Sequence, residues 1–120
     1  MYNLILMRII NNLCIALFIF FFSCGENKPS QEQKDKADRY VQSLVDADIG
    51  IYKGELTNAN FLILAVDAYP GTNFDVFAQT YLEKALKRGL DIEGVAIVSI
   101  NDCQIGDGWV KGERIGRAFK

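Results

Sequence analysis

Beyond the N-terminal region, the apolar positions form two helical stripes and two unbroken runs, and their order predicts a layered α/β domain. From Lys34 to Ala47 the apolar residues Ala37, Tyr40, Val41, Leu44 and Val45 recur at helical spacing and so share one face. Asp38, Arg39, Gln42, Ser43 and Asp46 take the opposite face, and Asp48 and Gly50 mark the end. Ile49 to Thr57 alternates loosely, as a half-exposed strand does, and Thr57-Asn58-Ala59-Asn60 supplies turn chemistry. Phe61 to Val66 is apolar without alternation, the pattern of a strand covered on both faces. Their short separation predicts that the two strands pair as an antiparallel hairpin.

Tyr69-Pro70-Gly71 interrupts the pattern before a second amphipathic stripe, carried by Phe74, Phe77, Ala78, Tyr81, Leu82, Ala85 and Leu86. Thr72 is the expected N-cap with Asp75 three residues on, a shorter-armed relative of the capping box. Glu83 and Lys87 stand at i and i+4 as an ion pair. Lys84, Lys87 and Arg88 suit the negative end of the helix dipole, and Gly89 is the expected stop. Val95 to Ile100 then repeats the buried-strand pattern. Strand, helix and strand make a βαβ unit, so Phe61–Val66 and Val95–Ile100 should run parallel.

The last twenty residues carry weaker signals. Asn101-Asp102 and Asp107-Gly108 are turn sequences flanking a short strand or loop at Cys103-Gln104-Ile105. Gly108-Trp109-Val110 reads as an edge strand, and Glu113 to Phe119 as a terminal helical turn against which Gly112 and Gly116 argue. The expected fold is therefore α/β (α+β): a small mixed sheet with a βαβ unit and two amphipathic helices packed on it. Two arrangements satisfy the buried strands. Each helix covers one face, or one face stays open as a binding surface.

The N-terminal residues have a different character. Arg8 is followed by the apolar run Leu13 to Phe22, then Ser23, Cys24 and Gly25. A charged start, a short apolar segment and a small residue at the cut form the secretory pattern. From Met7 the chain offers a second, more compact start to it. Ten apolar residues fall short of the roughly 20 that a spanning helix needs. Ser23-Cys24-Gly25 resembles the lipobox of bacterial lipoproteins, although Phe21 and Phe22 depart from its usual upstream residues. That resemblance implies a signal peptide over 1–23, acyl chains such as palmitate on Cys24, and a membrane-anchored protein of the cell envelope. Gly25 stands where Asp commonly signals inner-membrane retention, so the resemblance implies the outer membrane. Residues 24–36 read as lipid anchor site and flexible tether, and 37–120 as a single small domain.

Charge and cysteine content narrow the functions. The formal net charge is −2, with no basic block or aromatic-interleaved patch, which argues against a nucleic-acid partner. Of three cysteines, Cys14 lies in the signal segment and Cys24 carries lipid, so Cys103 has no partner for an intramolecular disulfide. It reads as a buried small hydrophobe, an intermolecular disulfide partner or a reactive thiol. The chain has no histidine, which excludes Cys–His and Ser–His catalytic pairs.

Carboxylates are the remaining candidates for catalysis. Asp67 and Asp102 follow the two buried strands, and parallel neighbours would bring both to the sheet edge where α/β folds bind ligands. Glu55, Tyr69, Asp75 and Asp107 are candidates to join them. The plain alternative is that Asp ends strands and caps turns routinely. Neither the spacing of a calcium loop nor a phosphate-binding glycine fingerprint is present. Trp109, with Tyr69 and Ile105, is a candidate anchor for a protein or glycan. The expectation is a non-enzymatic envelope lipoprotein without cofactor or metal. Its domain binds a protein partner or cell-envelope component through a surface that includes Asp67, Tyr69, Asp102 and Trp109. The rival is a carboxylate-dependent hydrolase or metal-assisted enzyme using Asp67 and Asp102.

Overall fold

The computed structural model describes residues 28–120; the segment read as a signal peptide and Cys24 lie outside the described residues. Helix α1 spans Gln31–Asp46, beginning inside the segment read as tether. Ser30 caps it by accepting the Gln33 N–H on its hydroxyl. Strands β1 (Ile51–Leu56) and β2 (Phe61–Val66) form the expected antiparallel hairpin. Helix α2 covers Phe74–Lys87 and β3 covers Gly94–Ser99, with β2 and β3 parallel. Two short strands, β4 (Gln104–Gly106) and β5 (Trp109–Lys111), make a separate hairpin, and β6 spans Arg114–Phe119.

The main sheet has the order β1-β2-β3-β6, so the α/β architecture with a mixed sheet stands as expected. Two local expectations change. The cap of α2 is Asn73, whose side-chain oxygen accepts the N–H groups of Asp75 and Val76, rather than Thr72. Glu83 accepts a hydrogen bond from Gln79 instead of pairing with Lys87. At the other end the Gly89 stop is as read. Its φ is 87°, its N–H donates to Leu86 O, and the Leu90 N–H reaches Ala85 O. That pair of bonds is the Schellman arrangement.

The terminal segment is corrected more deeply. Glu113 to Phe119 is not a helical turn: β6 runs antiparallel beside β3 and completes the sheet. Gly116 disfavours helix, and the strand pairing gives its neighbours the backbone partners that an isolated turn would lack.

Both helices lie on the same face of the sheet. Ala37, Tyr40, Val41 and Leu44 of α1 and Ala78, Tyr81, Leu82 and Ala85 of α2 share one core with Leu62, Leu64, Val95 and Ile97. Tyr40, 3% exposed, donates its hydroxyl to Tyr81 O at 3.2 Å, which ties the two helices together. The opposite face carries Ile63, Ala65, Ala96 and Val98, and the β4–β5 hairpin covers it in part through Val110. The hairpin tip is fastened by Glu55, which accepts the Gly108 N–H, and by Asn58, which donates its N–H to Gly108 O. One face is thus sealed by helices. The other is sealed only where the hairpin reaches.

Candidate binding groove

The groove on the second face owes its shape to three rows of residues in register, of which the first two line it and the third lies buried beside it apart from Arg114. Phe61, Gly94 and Phe119 form the first, Ile63, Ala96 and Arg117 the second, and Ala65, Val98 and Arg114 the third. In the first row Gly94 has no side chain, so the two phenyl rings meet over it edge to face, their centroids 5.7 Å apart. A Cβ at Gly94 would stand 2.6 Å from the Phe61 ring and 2.4 Å from Ala118 O, so the position requires glycine. In the second row Ala96 is the short member between Ile63 and Arg117. The result is a groove of about 250 Å³ with an apolar floor, an aromatic end wall and two guanidinium groups on its rim.

Secondary structure fixes those cations differently. The Arg114 guanidinium donates to Gly112 O at 2.8 Å and to Val110 O at 3.2 Å, which holds it at the base of the hairpin. Two of its five N–H donors are used this way. Arg117 extends from β6, and its backbone N–H on the outer edge of that strand donates to Asp75 Oδ1 at 2.9 Å. Gly116 allows α2 to approach that closely, since a Cβ there would stand 2.4 Å from the Phe74 carbonyl. Among the described residues neither guanidinium has a carboxylate within ion-pair distance, unlike Lys36, which pairs with Glu32, and Lys120, which pairs with Asp91. Phe119 is 64% exposed at the end of the trough, the kind of position where an aromatic ring gains most from a partner.

The residues singled out from the sequence fall elsewhere. Asp67 and Tyr69 do come together. The Tyr52 hydroxyl donates to Asp67 Oδ2 at 2.6 Å, and the Tyr69 hydroxyl approaches the same oxygen at 3.4 Å. The hydrogen bond to Asp67 raises the pKa of Tyr52 above its ordinary value. Asp102 sits in the turn after β3, where its N–H donates to Ser99 O, and no hydrogen bond or ion pair among the described residues joins it to Asp67. The Trp109 ring is half-exposed and lies across the hairpin over Gly106, which a side chain there would displace. Ile105 instead turns inward to the second core.

Glu55 joins a polar hollow with Asp38 and Asp107 rather than either of those sites. Burial pushes its carboxyl pKa up, the Gly108 N–H opposes that shift, and the nearby charges of Asp38 and Asp107 add to it. Cys103 is half-buried, and its thiol donates to Ile100 O at 3.7 Å. No group of three or more His, Cys, Asp or Glu side chains among the described residues is placed to hold a metal ion. No described helix is long and apolar enough to cross a membrane.

The groove residues escaped the sequence reading because they come from β2, β3 and β6. One signal was present. From Ile115 to Phe119 small Gly116 and Ala118 alternate with larger neighbours, a period of two that marks a strand with one closely packed face.

A fold of this kind, two helices backing a four-stranded mixed sheet, occurs in known proteins. A crystal structure of a Parabacteroides distasonis protein, described as having an alpha-lytic protease prodomain-like fold, superimposes with a TM-score of 0.64. The two sequences are 35% identical, and the match covers 70% of this chain and 99% of the other. The model of a family described as "Hypothetical protein" matches residues 32–120, and the chain belongs to that family. No curated protein matches it.

Proposed function

We propose that this is a lipid-anchored protein of the bacterial cell envelope whose α/β domain works by binding a partner rather than by catalysis, with the groove as the contact. The observation that carries this reading is the incomplete cover of the second sheet face. Phe61, Ala96 and Phe119 line an apolar trough whose rim carries the Arg114 and Arg117 guanidinium groups, neither of them in an ion pair among the described residues. Aromatic and arginine side chains supply much of the binding energy at protein interfaces. The similarity to a protein whose fold is named for a protease prodomain is compatible with a role toward another polypeptide. The anchor rests on the resemblance of Ser23-Cys24-Gly25 to a lipobox, and an acylated Cys24 would hold the domain firmly once two or more chains insert.

Two measurements test the two halves. Cells fed a clickable palmitate analogue should label the wild-type chain and not Cys24→Ser. Labelling that survives the substitution would remove the anchor. Crosslinking in intact cells, with a tag after Lys120 and mass spectrometry of the captured proteins, should give one dominant envelope partner. Its yield should fall when Phe119→Ala is tested. Absence of any reproducible partner would remove the binding reading and turn attention to the Asp67 and Asp102 end of the sheet.

A further inference from the structure

The size and charge of the groove narrow the chemistry of its occupant. A volume of about 250 Å³ lies below the roughly 300–1,000 Å³ typical of clefts that enclose a cofactor or drug-sized ligand. There is room for one bulky side chain. The trough is also short: the Phe61–Phe119 pair closes one end, and Arg114, held to carbonyls at the hairpin's base, stands at another. A long acyl chain would find only part of its length covered.

Charge adds the second constraint. The chain as a whole is mildly acidic, yet Arg114 and Arg117 both line this trough without a carboxylate partner among the described residues. Asp75 accepts the backbone N–H of Arg117 and borders, with Arg114 and Arg117, a shallow depression beside β6, but it forms no ion pair with either guanidinium. A guanidinium on an apolar rim favours a carboxylate, to which it can make two parallel hydrogen bonds. Such a pair beside a desolvated apolar contact is stronger than the same pair in open water.

We infer that the groove receives an acidic polypeptide segment, one bulky apolar side chain of which seats over Ala96 against the Phe61–Phe119 wall while adjacent carboxylates engage Arg117 and Arg114. This rests on the binding reading above and adds the class of partner. Salt dependence is part of the inference, because a rim ion pair is screened over about 8–10 Å at ordinary ionic strength.

The test is a selection of random peptides displayed on phage against the full chain reconstituted in lipid nanodiscs. Fluorescence anisotropy of the labelled winners follows. The expected winners carry an aromatic or large aliphatic residue flanked by Asp or Glu. Their affinity should fall at least about tenfold with Arg117→Glu and also with Phe119→Ala, and should weaken as salt is raised. Both substituted side chains are exposed, and far-UV circular dichroism verifies that each variant is folded. Winners without acidic residues, or winners indifferent to both substitutions, would overturn the assignment. So would an empty selection, or oleate binding that Arg117→Glu abolishes where no peptide is enriched, which would give the groove to a lipid. If cell crosslinking captures a partner equally well with both variants, the binding reading survives and the groove assignment falls. If peptides bind as described while cells yield no partner, the reverse holds.

Discussion

Gly116→Ala should cost the domain about 2–4 kcal/mol, a large effect for one methyl group. The added Cβ would stand 2.4 Å from both the carbonyl carbon and oxygen of Phe74 and 2.6 Å from its Cβ. Ordinary contact begins near 3.4 Å, so α2 must withdraw from β6 by about 1 Å. The obstacle is backbone at the first residue of the helix and has no rotamer to change. Overpacking of this kind costs about 1–3 kcal/mol. Withdrawal also stretches the bond from the Arg117 N–H to Asp75, now 2.9 Å, and hydrogen bonds to charged groups contribute about 1.5–3 kcal/mol when fully formed. Only part of that is lost at an exposed site. Restricting the unfolded chain returns about 0.4–1 kcal/mol. For a domain of this size the net loss lowers Tm by roughly 10–25 °C. Equilibrium urea unfolding followed by circular dichroism measures it. Asp75→Ala should be less severe, and the double variant should fall short of additivity because both changes act on one joint. A Gly116→Ala protein within about 0.5 kcal/mol of wild type would refute the close docking of α2 on β6, and with it the placement of Arg117.

Three further outcomes follow from named contacts. Burial, with a contribution from Tyr81 and against the opposing charge of Arg88, pushes the Tyr40 pKa up to about 12 from the ordinary 10.0. A group whose folded pKa is raised stabilises fully below its unfolded value, so stability should fall as pH rises from about 10 to 12, and Tyr40→Phe should remove that loss while forfeiting about 0.5–1.5 kcal/mol for the bond to Tyr81 O. The Glu55 pKa is raised too, chiefly by burial, so its ionisation opposes folding as pH climbs through the carboxylate range. Glu55→Gln can still accept the Gly108 N–H, and its stability relative to wild type should therefore rise between pH 4 and pH 7 in paired urea titrations, with a flat difference counting against the shift. Asn60, at φ 64°, donates to Asp91 O at 2.8 Å and accepts from Gln33 at 2.9 Å. Asn60→Ala should lose about 1–3 kcal/mol and Asn60→Gly less, because glycine keeps the left-handed backbone at no steric cost; equal losses would place the whole effect in the side-chain bonds.

What the sequence disclosed depended on how far a signal had to reach. Helix α2 was legible because its stripe, C-terminal cations and Gly89 all act within a few turns, although Asn73 proved a better cap than Thr72. Asparagine's short amide reaches two backbone N–H groups at once, and the periodicity of apolar residues is silent about which turn residue will do so. Strands β2 and β3 were legible from their unbroken apolar runs, which correctly required cover on both faces. The identity of that cover was not legible. It comes from the hairpin of β4 and β5, strands of three residues each, too short to show a period. With the hairpin serving one face, both helices are free to share the other.

The groove was the least legible feature, and the reason is also the reason it is a candidate for function. A core position announces itself by matching the period of its own element, since it must face inward there. Phe119 and Arg117 match the period of β6 but face a surface that nothing in the described chain completes. Gly94 and Ala96 look like gaps in an otherwise bulky strand, GVAIVS, until the register sets them between Phe61 and Phe119 and between Ile63 and Arg117. Ala96 keeps the trough open at its floor, whereas Gly94 is fixed by its neighbours, since a Cβ there would meet Phe61 and the Ala118 carbonyl. A fold selected for stability alone would gain from larger residues at Ala96 and from an acid opposite Arg117. A cavity and a cation with no ion-pair partner among the described residues stand side by side, which locates the part of the sheet that the fold leaves unfinished.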